Sequence, residues 1–344
     1  MKSLVFSSLL LVPACFGGER ADSGKCPAGE TCSDLTPQGL QFVGQNFAGS
    51  TNLVGPFATA IGGTQDIHIE IEAALGVYVP LQYAFTADDD GGLGIKIDHV
   101  EGTVVGVRGV ASRTNYLRIS DADSGLLFDR HELAGAAVDK LQIITASAES
   151  VPDDLDIAFA AGNIEVGVAL FGQVQTDHGP EDQRVVDDSM ALDLAGATPT
   201  TWDAVALNGA AAGTYSLGIT AGDRPTANLD VVVVDGLDQI EAAPHNPTTV
   251  QPSFTSTVCF DGLANGRYVA QLVWHFTVDG VAPINGVLGN CVTFSTQKTS
   301  GTIEVSASAM GKQATVTLPV AAARTAPLAP IKLAPATAGE RAAM

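Results

Sequence analysis

The chain has 344 residues, 46% of them hydrophobic and only 6% aromatic, with 37 glycines and a net charge of −21. The length allows two or three domains, and the apolar content excludes a wholly disordered chain. The acidic balance argues against nucleic acid as a partner, because phosphates would be repelled.

The first 14 residues are typical of a secretory signal peptide. A single lysine precedes the apolar stretch Leu4–Val12, and small residues follow it. This order of charge, apolar core and small residues is that of a cleaved signal, and the apolar stretch is about half the length needed to span a bilayer. No other stretch is apolar enough to predict a transmembrane helix. A first β-strand is the rival interpretation of the segment.

The end of this segment, Val12-Pro13-Ala14-Cys15, resembles the lipobox of bacterial lipoproteins. The resemblance implies that Cys15 is acylated, with palmitate among the acyl groups, and becomes the mature N-terminus. It further implies a lipid-anchored protein of the bacterial cell envelope, at the outer membrane or cell surface rather than the inner membrane. An ordinary cleaved signal without lipid remains the alternative.

The cysteine count supports a separate role for Cys15. The chain has five cysteines, and an odd number in an exported protein leaves one over. Without Cys15, the remaining four pair by proximity along the chain, although four cysteines allow three connectivities. The predicted disulfides are Cys26–Cys32 and Cys259–Cys291. Zinc ligation is the alternative, but no CxxC motif or paired histidine accompanies these cysteines.

The composition divides the chain into a central region and two ends. Residues 15–50 are rich in Gly, Ser, Pro and charge, which predicts a flexible tether, and the Ala- and Pro-rich residues 321–344 predict a disordered tail. In the central region apolar residues recur at every second position, as at Ile67, Ile69 and Ile71. This period of two indicates strands with one face in a core, so the sequence predicts an all-β protein.

An internal repeat gives the domain organisation. Residues 107–123 match residues 207–223 at an offset of 100, and residues 300–311 form a weaker third copy. A period of this length suits tandem β-sandwich domains. Polar, Pro-rich segments at 150–156 and 243–252 place the domains at 51–148, 149–243 and 244–320.

The repeated unit resembles the late strands of bacterial immunoglobulin-like domains of the Big or invasin type. The resemblance rests on Gly213-Thr214, the alternation through Ile219, and the Val-rich stretch Leu229–Val234. It implies tandem immunoglobulin-like β-sandwich domains between the flexible tether and the disordered tail. Because many sandwiches share such patterning, the resemblance concerns fold more than function.

Few residues suggest chemistry. His131-Glu132 begins like the helix motif of zinc proteases, but Gly135 stands where the second histidine is needed. Two acidic groups are weak calcium candidates, because carboxylate oxygens are the ligands of that ion. These candidates are Asp88, Asp89, Asp90, Asp121 and Asp123. Asp and Gly are also the ordinary turn residues between strands.

These observations predict a lipid-anchored envelope protein with a structural, spacer or adhesive role and no enzymatic activity. Its partners would be the membrane, through the lipid, and an unidentified protein or glycan at the cell surface. The alternative is a glycan- or peptide-binding module, with calcium as the one cofactor considered. An enzyme whose site assembles from distant loops is a third hypothesis that no motif supports.

Overall fold

The computed structural model describes residues 26, 30–33, 40–44, 58–74, 77–145, 149, 151, 155–176, 179–279 and 289–321. Within these ranges the chain forms 24 β-strands and no helix, which confirms the predicted all-β class. Among these residues no helical segment could cross a membrane. The predicted signal peptide, most of the tether and the tail after residue 321 lie outside the described residues.

The first repeat is a sandwich of two sheets. One has the order β1-β3-β7-β6 with β4 beside β3, and the other has the order β2-β9-β8-β5. Its strands are β1 (Leu40–Val43), β2 (Ala58–Ala60), β3 (Thr64–Ala74), β4 (Val77–Pro80), β5 (Phe85–Asp88), β6 (Ile95–Glu101), β7 (Val104–Gly109), β8 (Thr114–Asp121) and β9 (Leu127–Thr145).

The second repeat has the same arrangement and begins with the second half of β9. Its sheets have the orders β9-β11-β15-β14, with β12 beside β11, and β10-β17-β16-β13. The strands are β10 (Ile157–Ala160), β11 (Gly162–Thr176), β12 (Gly179–Val186), β13 (Ala191–Leu194), β14 (Thr198–Thr201), β15 (Ala204–Ala210), β16 (Gly213–Thr220) and β17 (Ala227–Val234).

The third repeat is built in the same way with shorter elements. Its sheets are β18-β19-β22, with β20 beside β19, and β24-β23-β21. The strands are β18 (Gln239–Ala242), β19 (Thr255–Ala264), β20 (Arg267–Ala270), β21 (His275–Val278), β22 (Cys291–Ser295), β23 (Thr302–Ala309) and β24 (Lys312–Pro319).

The strand pairings are those of immunoglobulin-like sandwiches. In each repeat a short segment near the start runs parallel to the last strand, and the other pairs of named strands within a repeat are antiparallel. The parallel pairs are Thr59 with Gly135, Ala158 with Val232, and Val250 with Val320. The protein is therefore a tandem array of immunoglobulin-like β-sandwiches, as the sequence predicts.

Neighbouring repeats share strands and are not merely linked. At the first junction β11 pairs with β12, β12 with β2, β2 with β9, and β9 again with β11, so the pairings close into a ring. At the second junction β20 of the third repeat pairs in parallel with β10 of the second. Backbone hydrogen bonds therefore run across both junctions.

The hydrophobic cores meet at the shared strands. Phe159, Val231 and Val233 belong to the core of the second repeat, whereas Ala158 and Val232 contact the core of the third. Successive side chains on a strand point to opposite faces. The ribbon formed by β10 and β17 is therefore covered on both faces, once by each repeat.

Described strands lie close to two of the limits predicted from the sequence. The strand β1 lies inside the predicted tether at 15–50, where Leu40 and Phe42 alternate into the core of the first repeat. The Pro-rich segment 243–252 follows β18 and contains Val250, which pairs with Val320 of the third repeat. The segment therefore lies inside the third repeat. As domain limits, 51–148, 149–243 and 244–320 stay predictions.

Candidate functional site

A cleft of about 490 Å³ opens between the second and third repeats. The second repeat contributes the end of β10, and the third contributes the β20–β21 loop, the start of β21 and the turn between β23 and β24. The lining residues are Ala160, Ala161, Gln271, Leu272, Val273, His275, Ser308, Ala309, Met310, Gly311, Lys312 and Gln313. Both repeats are therefore needed to form the cleft.

A tight turn forms one rim of the cleft. Ala309 pairs with Lys312, and the two residues between them, Met310 and Gly311, have φ angles of 44° and 76°. Two consecutive positive φ angles are typical of a type I′ hairpin turn, which matches the twist of the flanking strands. The turn leaves Met310 39% exposed and holds the exposed Lys312 at the cleft.

Gln271 fastens the opposite rim to the second repeat. Its backbone N–H donates to a Glu149 carboxylate oxygen at 2.8 Å. Its side-chain amide donates to the Glu165 carbonyl at 2.6 Å and accepts from the Glu165 N–H at 2.9 Å. Its φ of 60° is unusual for a residue other than glycine. These bonds hold the β20–β21 loop in a conformation that it would not favour alone.

The cleft differs in charge from the chain as a whole. Its lining contains Lys312 and His275 and no acidic residue, although the whole chain has 38 acidic and 17 basic residues. Val273 in the same lining is 76% exposed. The cleft therefore offers positive charge beside apolar surface, an arrangement suited to a ligand with an anionic group.

The corresponding place at the first junction is closed by Asp187. This buried carboxylate accepts hydrogen bonds from the N–H groups of Thr64 at 3.2 Å and Gly222 at 2.6 Å. The N–H of Asp223 donates to the Ile61 carbonyl at 2.9 Å. In the described residues no hydrogen bond joins Met310 or Gly311 to the second repeat. The first junction is thus sealed where the second is open.

Two further acidic residues belong to the sealed junction. Asp188 accepts a bond from the Asp66 N–H at 2.7 Å, while its other carboxylate oxygen is buried without a partner. Burial, with repulsion from Asp66, Asp187 and Asp203, raises the pKa of Asp188 to about 7. Arg184 lies 3.7 Å from the buried Asp203. The bond from Asp66 to Asp188 joins the first repeat to the second, whereas Arg184 and Asp203 both lie in the second.

The first group of calcium candidates lies at the end of β5 and in the turn that follows it. Asp88 accepts a bond from the Asp90 N–H at 2.8 Å, and Asp89 accepts one from the Ile97 N–H at 3.2 Å. Asp90 itself has a φ of 47°. Aspartates with such local bonds are typical of turns between strands.

The second group lies at the end of β8 and in the turn that follows it. Asp121 accepts bonds from the N–H groups of Ser124 at 2.7 Å and Asp123 at 2.9 Å. The bonds from Ser124 lower the pKa of the Asp121 carboxyl. Asp88 pairs with Arg118, three residues from Asp121, so about 10 Å of strand separates the two groups.

The structure therefore does not bring the two acidic groups into one site. Within the described ranges, no three His, Cys, Asp or Glu side chains are grouped so that they could hold a metal ion. Calcium binding by Asp88, Asp89, Asp90, Asp121 or Asp123 stays a prediction.

Four of the cysteines form disulfides, and His131 is packed in the first repeat. The disulfides Cys26–Cys32 and Cys259–Cys291 are both present, and the second joins β19 to β22. Cys15 lies outside the described residues, so its acylation stays a prediction. His131 lies on strand β9, stacks on Phe42 at 4.9 Å, and has its pKa lowered to about 4 by burial.

Gln271, Lys312 and Asp187 are functional or junction residues that no sequence motif marks. A glutamine at positive φ has no sequence signature, because glycine and asparagine are the usual residues there. The turn at Met310-Gly311 is visible as a glycine that interrupts apolar alternation. The glycine at position 63 is a second sequence signal, because glycine is used where the backbone approaches another group closely. A Cβ at Gly63 would lie 2.5 Å from the carboxyl carbon of Asp187.

No known protein family matches the chain, and no curated protein sequence matches it. Among solved structures it is similar to domains 4–9 of the surface-layer protein SbsC, at 11% identity over 83% of this chain and 47% of that one, with a TM-score of 0.26. The Escherichia coli adhesin FdeC gives 14% identity, 82% and 96% coverage, and a TM-score of 0.21.

An endo-fucoidan hydrolase of glycoside hydrolase family 107 is also similar, at 11% identity over 81% of this chain and 44% of that one, with a TM-score of 0.24. This chain thus spans about half the length of the SbsC and hydrolase chains. Because these scores are low, the strand pairings themselves establish the fold.

Proposed function

We propose that the protein is a lipid-anchored structural protein of the bacterial cell envelope that acts as a rigid spacer or adhesive stalk at the outer membrane or cell surface. The sharing of strands between repeats supports this role. Domains joined by simple linkers are expected to move relative to one another. Here β12 pairs with β2, and β20 pairs with β10, across the junctions. Bending at either junction would break backbone hydrogen bonds.

The proposed anchor is an acylated Cys15 at the start of the tether. A single acyl chain binds a membrane only weakly, so stable anchoring needs more than one. The resemblance to bacterial lipoproteins implies several chains on one cysteine. The role requires binding and mechanical support, and it requires no catalysis.

Stiffness is tested by spin-label distances between the ends of the array. We would attach labels at Glu101→Cys and Thr317→Cys, both exposed positions, in a Cys15→Ser background. A narrow distance distribution between the first and third repeats is expected. A broad distribution, like that of two domains on a flexible linker, would refute the rigid spacer.

Anchoring is tested in bacteria with the Cys15→Ser variant. The unmodified protein should take up labelled fatty acid and sediment with membranes, and the variant should do neither. Ser23→Ala serves as a control in the same segment. A Cys15→Ser protein that stays membrane-bound without acyl label would show that the anchor lies elsewhere.

A binding module for a glycan or peptide is the second candidate function, and the cleft between the second and third repeats favours it. The calcium-assisted form of this proposal predicts that millimolar calcium raises the melting temperature, and that Asp121→Asn reduces the rise. If neither calcium nor a chelator changes the melting temperature, the calcium part of the proposal is wrong.

A further inference from the structure

Among the described strands, none pairs with the outer edge of β21, which begins beside the cleft. β21 is an edge strand of the sheet β21-β23-β24. The N–H of Asp279 donates to the Glu304 carbonyl at 2.9 Å, so Asp279 faces β23. In an antiparallel pair the backbone groups alternate between the partner strand and the opposite side. The N–H and C=O groups of Phe276 and Val278 therefore point away from β23.

This edge is available for pairing in the described part of the chain. No described strand lies on the outer side of β21. A row of unpaired backbone donors and acceptors is a template for an additional strand. Extended peptides bind other domains in this way, with the backbone supplying affinity and nearby pockets supplying specificity.

The cleft supplies the side-chain contacts at one end of the edge. His275 begins β21 and lines the cleft together with Lys312. The exposed apolar surfaces of Val273 and Met310 lie in the same lining. A strand added to β21 would thus pass beside positive charge and apolar surface.

Acidic residues precede the matching edge strand of the second repeat. β13 is also an edge strand, but the residues just before it include Asp187 and Asp188. Asp187 is committed to the bonds that close the first junction. An anionic peptide would therefore favour β21 over β13, because charge complementarity decides between similar edges.

We propose that the edge of β21 and the adjoining cleft bind an extended acidic peptide segment of a partner protein by strand addition. The peptide backbone pairs with Phe276 and Val278, an acidic side chain lies against Lys312 and His275, and an apolar side chain covers Val273. This inference rests on the adhesive role proposed above and identifies the kind of partner. A saccharide is disfavoured because His275 provides the one ring in the lining.

The test uses the full chain and a labelled peptide in fluorescence anisotropy. The probe is fluorescein-Asp-Val-Thr-Val-Thr-Val-Asp, whose alternation suits an extended strand. One control peptide has lysine in place of both aspartates, and another has alternate backbone nitrogens methylated to prevent strand pairing. An oligogalacturonate of similar length tests for an acidic saccharide.

Lys312→Glu is the informative variant, because Lys312 is exposed and its replacement removes no core contact. Lys96→Glu makes the same charge change at an exposed position in the first repeat. We expect Lys312→Glu to weaken binding of the acidic peptide by about tenfold or more, since the carboxylate would meet a like charge. Lys96→Glu should leave binding within about twofold, and added salt should weaken it.

The lysine peptide and the methylated peptide should both bind at least about tenfold more weakly than the probe. Equal binding of the acidic and lysine peptides, or an unchanged affinity in Lys312→Glu, would overturn the proposal. Binding of oligogalacturonate without binding of the peptide would overturn it in favour of a saccharide site. None of these results affects the anchoring and stiffness tests, so failure here is distinguishable from failure of the proposed function.

Discussion

Replacing Gln271 with alanine should uncouple the unfolding of the third repeat from that of the second. Gln271 belongs to the third repeat, whereas its partners Glu149 and Glu165 lie in the second. In repeat arrays, stability is close to a sum of repeat terms and nearest-neighbour interface terms. Weakening the interface term should let the less stable repeat unfold first.

The magnitude follows from the bonds that the variant affects. The two bonds between the Gln271 side chain and Glu165 each contribute about 1 kcal/mol. Alanine keeps the backbone N–H, but without the side chain the loop is less well held against the Glu149 carboxylate, a bond of about 1.5–3 kcal/mol. The expected loss is about 3 kcal/mol. In Gln271→Gly the loss should be about 1 kcal/mol smaller, because glycine adopts positive φ without strain.

Tryptophan fluorescence can follow the third repeat alone. The chain has two tryptophans, Trp202 in the second repeat and the buried Trp274 in the third. In a Trp202→Phe background, urea unfolding followed by Trp274 fluorescence and by circular dichroism should coincide. In Gln271→Ala the fluorescence transition should move to lower urea and separate from the dichroism transition.

Gln313→Ala is the matched control, since Gln313 is an exposed glutamine of the same cleft. It should leave both transitions in place. If Gln271→Ala keeps the transitions coincident and changes the unfolding free energy by less than about 0.5 kcal/mol, the idea that Gln271 fastens the two repeats is wrong.

Two other predictions concern the junctions. Asp188→Asn should raise the melting temperature at pH 8 and leave it unchanged at pH 4, whereas the exposed Asp193→Asn should have little effect at either pH. The reason is that the pKa of Asp188 in the folded protein is about 7, above its unfolded value. The carboxyl therefore holds its proton longer in the folded state, and stability is lost as pH rises from about 4 to 7; equal melting curves at pH 8 would contradict this. Val232→Asp should destabilise the second junction by about 2–4 kcal/mol in urea unfolding, because the charge would enter the core of the third repeat. Thr317→Asp, on the exposed outer face of β24, should cost less than about 0.5 kcal/mol.

The sequence predicts the repeated sandwich well, because apolar alternation and the internal repeat can both be recognised without knowing which strands pair. Alternation at Ile67, Ile69 and Ile71 identifies a strand with one buried face, and all three residues are in the core. The offset of 100 places β7 and β8 on β15 and β16. Short first strands are harder to identify, since β1 and β18 have four residues each and are recognised as strands only through their pairing with β3 and β19.

The cleft could not be predicted because its residues are distant along the chain. Ala160, Gln271 and Lys312 come from two repeats and meet only through the pairing of β10 with β20. The closed first junction is a further obstacle, since a simple repeat would predict the same site twice. The two junctions differ in the bonds that close the first one, above all those to the buried Asp187, and composition and periodicity do not reveal these bonds.

The sequences of the strands β17 and β24, the last strands of the second and third repeats, differ in their pattern of apolar residues. β17 ends in four consecutive valines, 231–234. A strand with one face exposed to solvent would instead alternate between apolar and polar residues. Strands buried on both faces have continuous apolar runs, and these valines contact the cores of the second and third repeats in turn. In β24, Val316 and Leu318 alternate with threonines, and no described residues of a further repeat cover its outer face. The continuous run in β17 therefore reflects its burial between the second and third repeats.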